Sequence, residues 1–317
     1  MQLTEKINQH YVPEFYLENW MLKGEERGSR FWARSKIEGN FFPVTCLKSV
    51  SQQNRFYRLK IDDVVYDMLC YQYQPQQDEP WVRGLLEEFR LMLAVRQYQE
   101  QQLPQHEALK VVETNYLEDK YNLLEARVGA TLRKIVEAKD GLAEVIQTDP
   151  SQYYGDLLAL FALQYYRTAK ARAAVLQHMQ GMVLARGEEQ IALNAEQRES
   201  LIKIMLFVDS MRFVDNLRRG KLSVSLELNA TGSHLLTSTS PTLGKIGQRT
   251  ELDDVSSFQG VMPLSPFLLM HIGKRTPGTQ ITVKTLDEAT VTATNQWIFD
   301  SSNRDVYATS RQQLEQF

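Results

Sequence analysis

The chain has 317 residues, 43% of them hydrophobic, enough to bury a substantial core. Its 36 Lys and Arg against 39 Asp and Glu leave a net charge of −3, which excludes a global positive field for holding nucleic acid or an anionic membrane. Only Cys46 and Cys70 are present, which excludes a disulfide scaffold and the paired spacing of a zinc site, so no metal is expected and a reducing, cytoplasmic setting is.

Residues 1–8 are polar, carry Glu5 and Lys6, and do not read as a secretory signal. A dense motif follows, in which His10, Tyr11, Val12 and Pro13 run into Glu14, Phe15, Tyr16, Leu17, Glu18, Asn19 and Trp20. The proline fixes a backbone dihedral and an aromatic helical face succeeds it, so a terminus that would otherwise fray is expected to be docked. Residues 29–35 around Phe31 and Trp32, then 40–45 and 55–59, separated by Gly24, Gly28 and Gly39, predict the short strands of a small sheet.

From residue 62 to 220 glycine and proline become sparse, and apolar residues recur at three-and-four spacing. Leu117, Tyr121, Leu124, Val128, Leu132 and Ile135 form one stripe; Tyr154, Leu157, Leu158, Phe161, Tyr165, Val175, Met179 and Met182 form another. Pro80, Pro104 and Pro150 stand where helices start, and Gly141, Gly187 and Gly220 where they stop. Roughly four to six long helices are predicted, with ends uncertain by about two to four residues. The longest apolar run, residues 157–163 extended by Tyr165 and Tyr166, is a core helix by its length and falls short of a membrane span.

After Gly220 the period changes to two. Leu222, Val224, Leu226 and Leu228 alternate with Ser223, Ser225, Glu227 and Asn229, the pattern of a half-buried strand. Residues 234–238, 260–263 and 268–272 predict further strands, residues 244–254 a loop, and Asp287 the cap of a last helix through about Ser301, although Thr290, Val291 and Thr292 also permit a strand. The expected architecture is therefore one α+β domain over residues 1–317. Residues 1–60 supply the opening motif and short strands, 61–220 a central helical bundle, and 221–317 a strand-rich end that joins the N-terminal strands in a mixed or antiparallel sheet.

The opening from His10 to Trp20, Gln164 to Arg167 at the end of an apolar helix, Thr237 to Pro241, and Met262 to Pro266 together resemble an uncharacterised bacterial family, domain-of-unknown-function family 4238. That family is marked by a histidine, aromatic, valine, proline start, a helix ending in arginine, a Thr-Ser-Asp-x-Pro turn and a Pro-Leu-Ser-Pro segment. The resemblance spans nearly the whole chain and implies a shared fold and a shared site around the histidine. It also places an acidic residue in the helix that holds Glu125. The turn here reads Thr237, Ser238, Thr239, Ser240, Pro241, with threonine at the family's aspartate position. A hydroxyl cannot replace a carboxylate as base or ligand near neutral pH.

Three residues are candidates for catalysis: His10, whose ordinary pKa suits acid or base work, Glu125, and Arg167. Each has a plain alternative. His10 can lock the terminus through a backbone carbonyl, Glu125 can be a paired or solvated helix charge, and Arg167 can tie its helix to Glu125 instead of clamping a phosphate or carboxylate. Gln164, Ser238 and Thr239 are candidate substrate-binding residues; the hydroxyls of that turn can face an anion or satisfy their own backbone.

Other motifs fail. Gly244 and Gly247 lack the strand, helix and lysine of a phosphate loop, and His106, His178, His234 and His271 have no second ligand at metal spacing. Arg172 and His178 match the spacing of HEPN-type nucleases, but Ala173 stands where that motif carries a polar residue. Arg167, Lys170, Arg172 and His178, with Arg212, Arg218, Arg219 and Lys221, form two basic groups that would make a phosphate-binding patch if they met. Two functions remain: an effector or defence-type hydrolase of phosphoester bonds in nucleic acid or nucleotides, or a non-catalytic binding or protein-interaction module. Nucleic acid, a nucleotide or a protein is the expected partner, a membrane is not, and no cofactor is indicated.

Overall fold

In a computed structural model of the chain, the structure describes residues 4–21, 31–102, 107–179, 181–186, 189–219, 222–244, 258–274 and 279–317. The fold is α+β, with more than half of the described residues helical. The residues cluster into two compact units, each drawn from three separate stretches: residues 1–9, 53–122 and 170–209 in one, and 10–52, 123–169 and 210–317 in the other. These units cut across the three zones of sequence texture.

The first unit is mainly helical. It holds the helices Asp63–Gln72 and Pro80–Gln102, the opening half of Glu107–Ala138, most of Ala169–His178 and the start of Ala195–Arg219. Local rules explain the ends: Asp62 caps its helix by accepting from Val65 N at 2.9 Å, and Pro80 takes the first helical position, where its missing N–H is not needed. Pro104 and His106 lie outside the described residues, as do Gly187 and Gly220. The rings of Tyr57, Tyr121 and Phe207, the first pair tilted and the second edge-to-face with centroids 4.9 and 5.2 Å apart, form part of the core.

Two expectations are corrected here. Residues 55–59 are turn and coil, and the nearby strand is Gln52–Asn54. The backbone donors of this segment are taken by partners outside any ladder. Arg58 N donates to Arg55 O, Tyr57 N to the Gln9 side chain at 2.6 Å, and Leu59 N to Glu113 O at 2.9 Å. The helical stripe from Tyr154 to Met182 is also interrupted. The helix Pro150–Tyr166 ends at Arg167, where Thr168 turns its hydroxyl onto Tyr165 O at 2.8 Å, and Met182 precedes a hairpin, Val183–Arg186 with Glu189–Ala192.

The second unit carries two sheets. In the larger, Ile281–Leu286 runs parallel to Leu222–Asn229, followed by Leu268–Lys274, Gly260–Ser265 and Leu243–Gly244 in antiparallel order. The predicted strand is observed and its alternation in part: Leu222, Val224 and Leu226 are buried, Val224 and Leu226 pairing with Ile272 and Met270, but Ser225 and Asn229 are buried too and Leu228 is only partly covered. The smaller sheet joins the two ends of the chain. Asp305–Ala308 lies between Phe31–Ser35 and Thr237–Ser238, with Phe41–Val44 outermost. Gly39, at φ +74°, makes the tight turn between the two N-terminal strands, a conformation that glycine adopts without steric penalty. Residues 24, 28, 29 and 30 of the expected N-terminal strands and turns lie outside the described residues, as do 245–254 of the expected loop. The last helix, Glu288–Ser301, is capped as the sequence predicts, with Asp287 accepting from Thr290 N at 2.7 Å.

Packing between the Pro150–Tyr166 helix and the larger sheet is tight. A Cβ on Gly260 would stand 2.5 Å from the Phe161 ring and 2.7 Å from Phe258, inside an aromatic cluster that includes Tyr165 and Phe213. Gly260→Ala is therefore expected to lower stability by about 1–3 kcal/mol, the range for overpacked cores. A thermal melt within about half a kcal/mol of the parent would show that the rings yield freely.

Candidate functional site

The opening motif is a hub. Pro13, extended at φ −63° and ψ 144°, starts the short helix Glu14–Leu17 and accepts from Tyr16 N and Leu17 N. A 3-10 turn, Glu18–Trp20, continues it, so Tyr16 and Trp20 fall on one face with ring centroids 5.1 Å apart. Both rings are fully buried. Their polar ends reach segments far along the chain: Tyr16 OH donates to Pro263 O at 2.6 Å and shares a 2.8 Å hydrogen bond with Thr237 Oγ1. Trp20 Nε1 donates to Leu235 O, and Asn19 Nδ2 to Leu264 O at 3.0 Å. Burial holds the Tyr16 phenol far above its usual pKa, so it remains a neutral donor. Phe15 packs on Gly129, where a Cβ would stand 3.2 Å from its ring.

Arg167 supplies the remaining link. It caps the Pro150–Tyr166 helix, with its side chain only 3% exposed. Nη1 pairs with Glu125 Oε1, and Nη2 donates to the backbone carbonyl of His10 at 2.7 Å. The guanidinium thus meets the main chain of the histidine, 157 residues away in sequence. This is the ion-pair alternative anticipated for Arg167, together with a second, backbone partner. One turn earlier, Gln164 is 1% exposed, and its amide has no hydrogen-bond partner among the described residues.

The His10 imidazole points to Glu14, with Nε2 3.2 Å from Oε1. Burial is the main cause that lowers its pKa from 6.5; Glu14 opposes this and Arg167 adds to it, while the Val50 carbonyl and Glu125 raise it. The imidazole is accordingly neutral at pH 7. An unfolded chain binds the proton first as pH falls below about 6.5, so the stability from neutral His10 is complete above that pH and is lost progressively beneath it.

Ser238 and Thr239 lie in the buried turn that Tyr16 reaches through Thr237. The Ser238 hydroxyl donates to Ser240 O at 3.0 Å and accepts from Ser240 N at 3.1 Å, closing the turn on itself. Thr239 N donates to Asp305 O at 3.0 Å, and its hydroxyl lies 3.4 Å from Asp305 N. Of the six candidates, the fold links His10, Glu125 and Arg167 directly, sets Gln164 on the same helix as Arg167, and gives Ser238 and Thr239 backbone partners.

Sequence reasoning missed Glu14 as the partner of His10, although the i, i+4 spacing is its signal. It also missed Asp156, 2% exposed, which takes Arg127 at 2.7 Å and the Thr131 hydroxyl at 2.7 Å. Arg172, considered with His178 as a nuclease motif, pairs with Glu199; the His178 and Lys170 side chains, His106, Gly247 and Lys221 lie outside the described residues. Among the described residues no group of three or more His, Cys, Asp or Glu could hold a metal ion, and no helix is long and apolar enough to cross a membrane.

The arrangement is that of an α+β protein whose opening motif fastens an apolar helix, a buried turn and a bulged strand. The chain belongs to the family of proteins of unknown function DUF4238, whose model matches residues 8–312. No curated protein and no solved structure matches it.

Proposed function

We propose that this protein is a non-catalytic binding or protein-interaction module, in which the family's motif residues act as a clasp for the fold. The observation that carries this reading is the engagement of Arg167, whose two arms are held by Glu125 and the His10 carbonyl with almost no exposed surface. A guanidinium so placed cannot also clamp a substrate phosphate without breaking a buried ion pair. Thr239 at the family's aspartate position and the self-closed Ser238 turn support the same reading. Its partner is a protein or a phosphate-bearing molecule. The free cysteines Cys46 and Cys70 suit a cytoplasmic setting.

One observation favours a second reading, an effector or defence-type hydrolase of phosphoester bonds in nucleic acid or nucleotides. The His10 imidazole is 16% exposed, neutral at pH 7 and beside the Glu14 carboxylate, a pairing suited to general acid or base work. Incubation of the purified protein with RNA, DNA and nucleotides separates the two. The clasp reading expects all three to remain intact and His10→Gln to flatten the acid side of the stability profile below about pH 6.5. Cleavage that His10→Gln abolishes in a folded protein would replace it with the hydrolase.

A further inference from the structure

The first unit contains a cluster of cations that the family motifs do not touch. Arg58, Lys60, Arg96, Arg172 and Lys203 come from four separate segments, yet all lie within Coulombic reach of one another or of shared carboxylates. Three acids balance them incompletely. Arg96 pairs with Glu113, Lys60 with Glu196 at 2.7 Å, and Glu199 serves both Arg172 at 2.5 Å and Lys203 at 3.7 Å. The nearby Asp62 is occupied by neutral donors, Val65 N and Gln197 Nε2.

Arg58 is the cation left over. It is half-buried and has no ion-pair partner among the described residues, and its Nε is buried without a hydrogen-bond partner, as is Arg96 Nε. Buried guanidinium donors without acceptors are costly, and in native proteins such groups face water or a ligand. Lys203, by contrast, has partners but shares its only carboxylate among the described residues, Glu199, with Arg172. Its Nζ donates to the Arg58 carbonyl, and its pKa is pushed down to about 8, chiefly by burial, against the pull of Glu199 and with Arg172 and Arg58 adding to the drop. An added anion would offset the unpaired charge of Arg58 and favour the charged form of Lys203.

We infer that Arg58, Arg96 and Lys203 form a binding site for an oxyanion, the phosphate group of a small ligand. A guanidinium with a free Nε–H can offer phosphate a two-pronged donor pair, and a recessed ammonium adds a point charge. Lys60 and Arg172, more exposed, form the rim. The site lies in the unit that does not contain His10, so it stands or falls independently of the clasp.

Calorimetric titration with inorganic phosphate at pH 7 and about 0.15 M salt, an ionic strength at which exposed charges are largely screened, tests the site. One saturable site per chain is expected. Arg58→Gln should weaken it at least tenfold, while Arg90→Gln, an exposed arginine of the same unit paired with Glu87, should leave it unchanged. Should Arg58→Gln fail to fold, Arg58→Lys, which keeps the charge and removes the fork, must weaken binding as well. A parallel titration with a mononucleotide distinguishes a carried phosphate from a free one by whichever binds more tightly. Absence of saturable binding, binding that survives Arg58→Gln, or equal loss in Arg90→Gln would each overturn the assignment.

Discussion

Arg167→Met is expected to destabilise the protein by about 3–5 kcal/mol, the range for removing one partner of a buried ion pair. The loss has two sources. Glu125, largely buried, keeps a carboxylate with no guanidinium, and the His10 carbonyl loses its charge-assisted donor. The double variant Arg167→Met/Glu125→Leu removes the stranded charge and should be less destabilised than the single one, because replacing both members of a buried pair by apolar groups is often close to neutral. Urea unfolding of the three proteins measures both quantities. A single variant within about 1 kcal/mol of the parent would mean that water reaches the pair and that Arg167 does not anchor the motif.

Trp20→Ala should lower stability by a comparable amount, about 3–5 kcal/mol. Trp20 is fully buried, packs on Tyr16 and ties its indole N–H to Leu235 O, so truncation opens a cavity and strands a carbonyl together. Trp20→Phe restores most of the volume but not the donor and should recover more than half of the loss. If both variants melt alike, the hydrogen bond rather than the cavity carries the effect. Both experiments address one arrangement, a terminal motif held at its histidine end by Arg167 and at its tryptophan end by the sheet.

Much of this architecture was legible in the residues. Local physics explains why: Pro150 begins the apolar helix, Asp287 caps the last one, and alternation from Leu222 to Asn229 marks a strand, each through interactions within a few residues. The docking of the N-terminus was readable from its aromatic density, and the need of Arg167 for a partner from the apolar helix around it. Segments 55–59 and 183–192 were not readable, because the first gives its backbone donors to distant groups and the second is a short hairpin inside a region of helical texture.

Tertiary structure alone chose the partners. No periodicity reveals that Arg167 reaches the carbonyl rather than the ring of His10, that Tyr16 meets Thr237 across 221 positions, or that Asp305–Ala308 enters the sheet between strands from opposite ends of the chain. Capping and patterning act over a turn or two and are written in neighbouring residues. Pairing of buried charges and closing of a sheet depend on which distant surfaces exclude water together, and that is settled only when the whole chain packs.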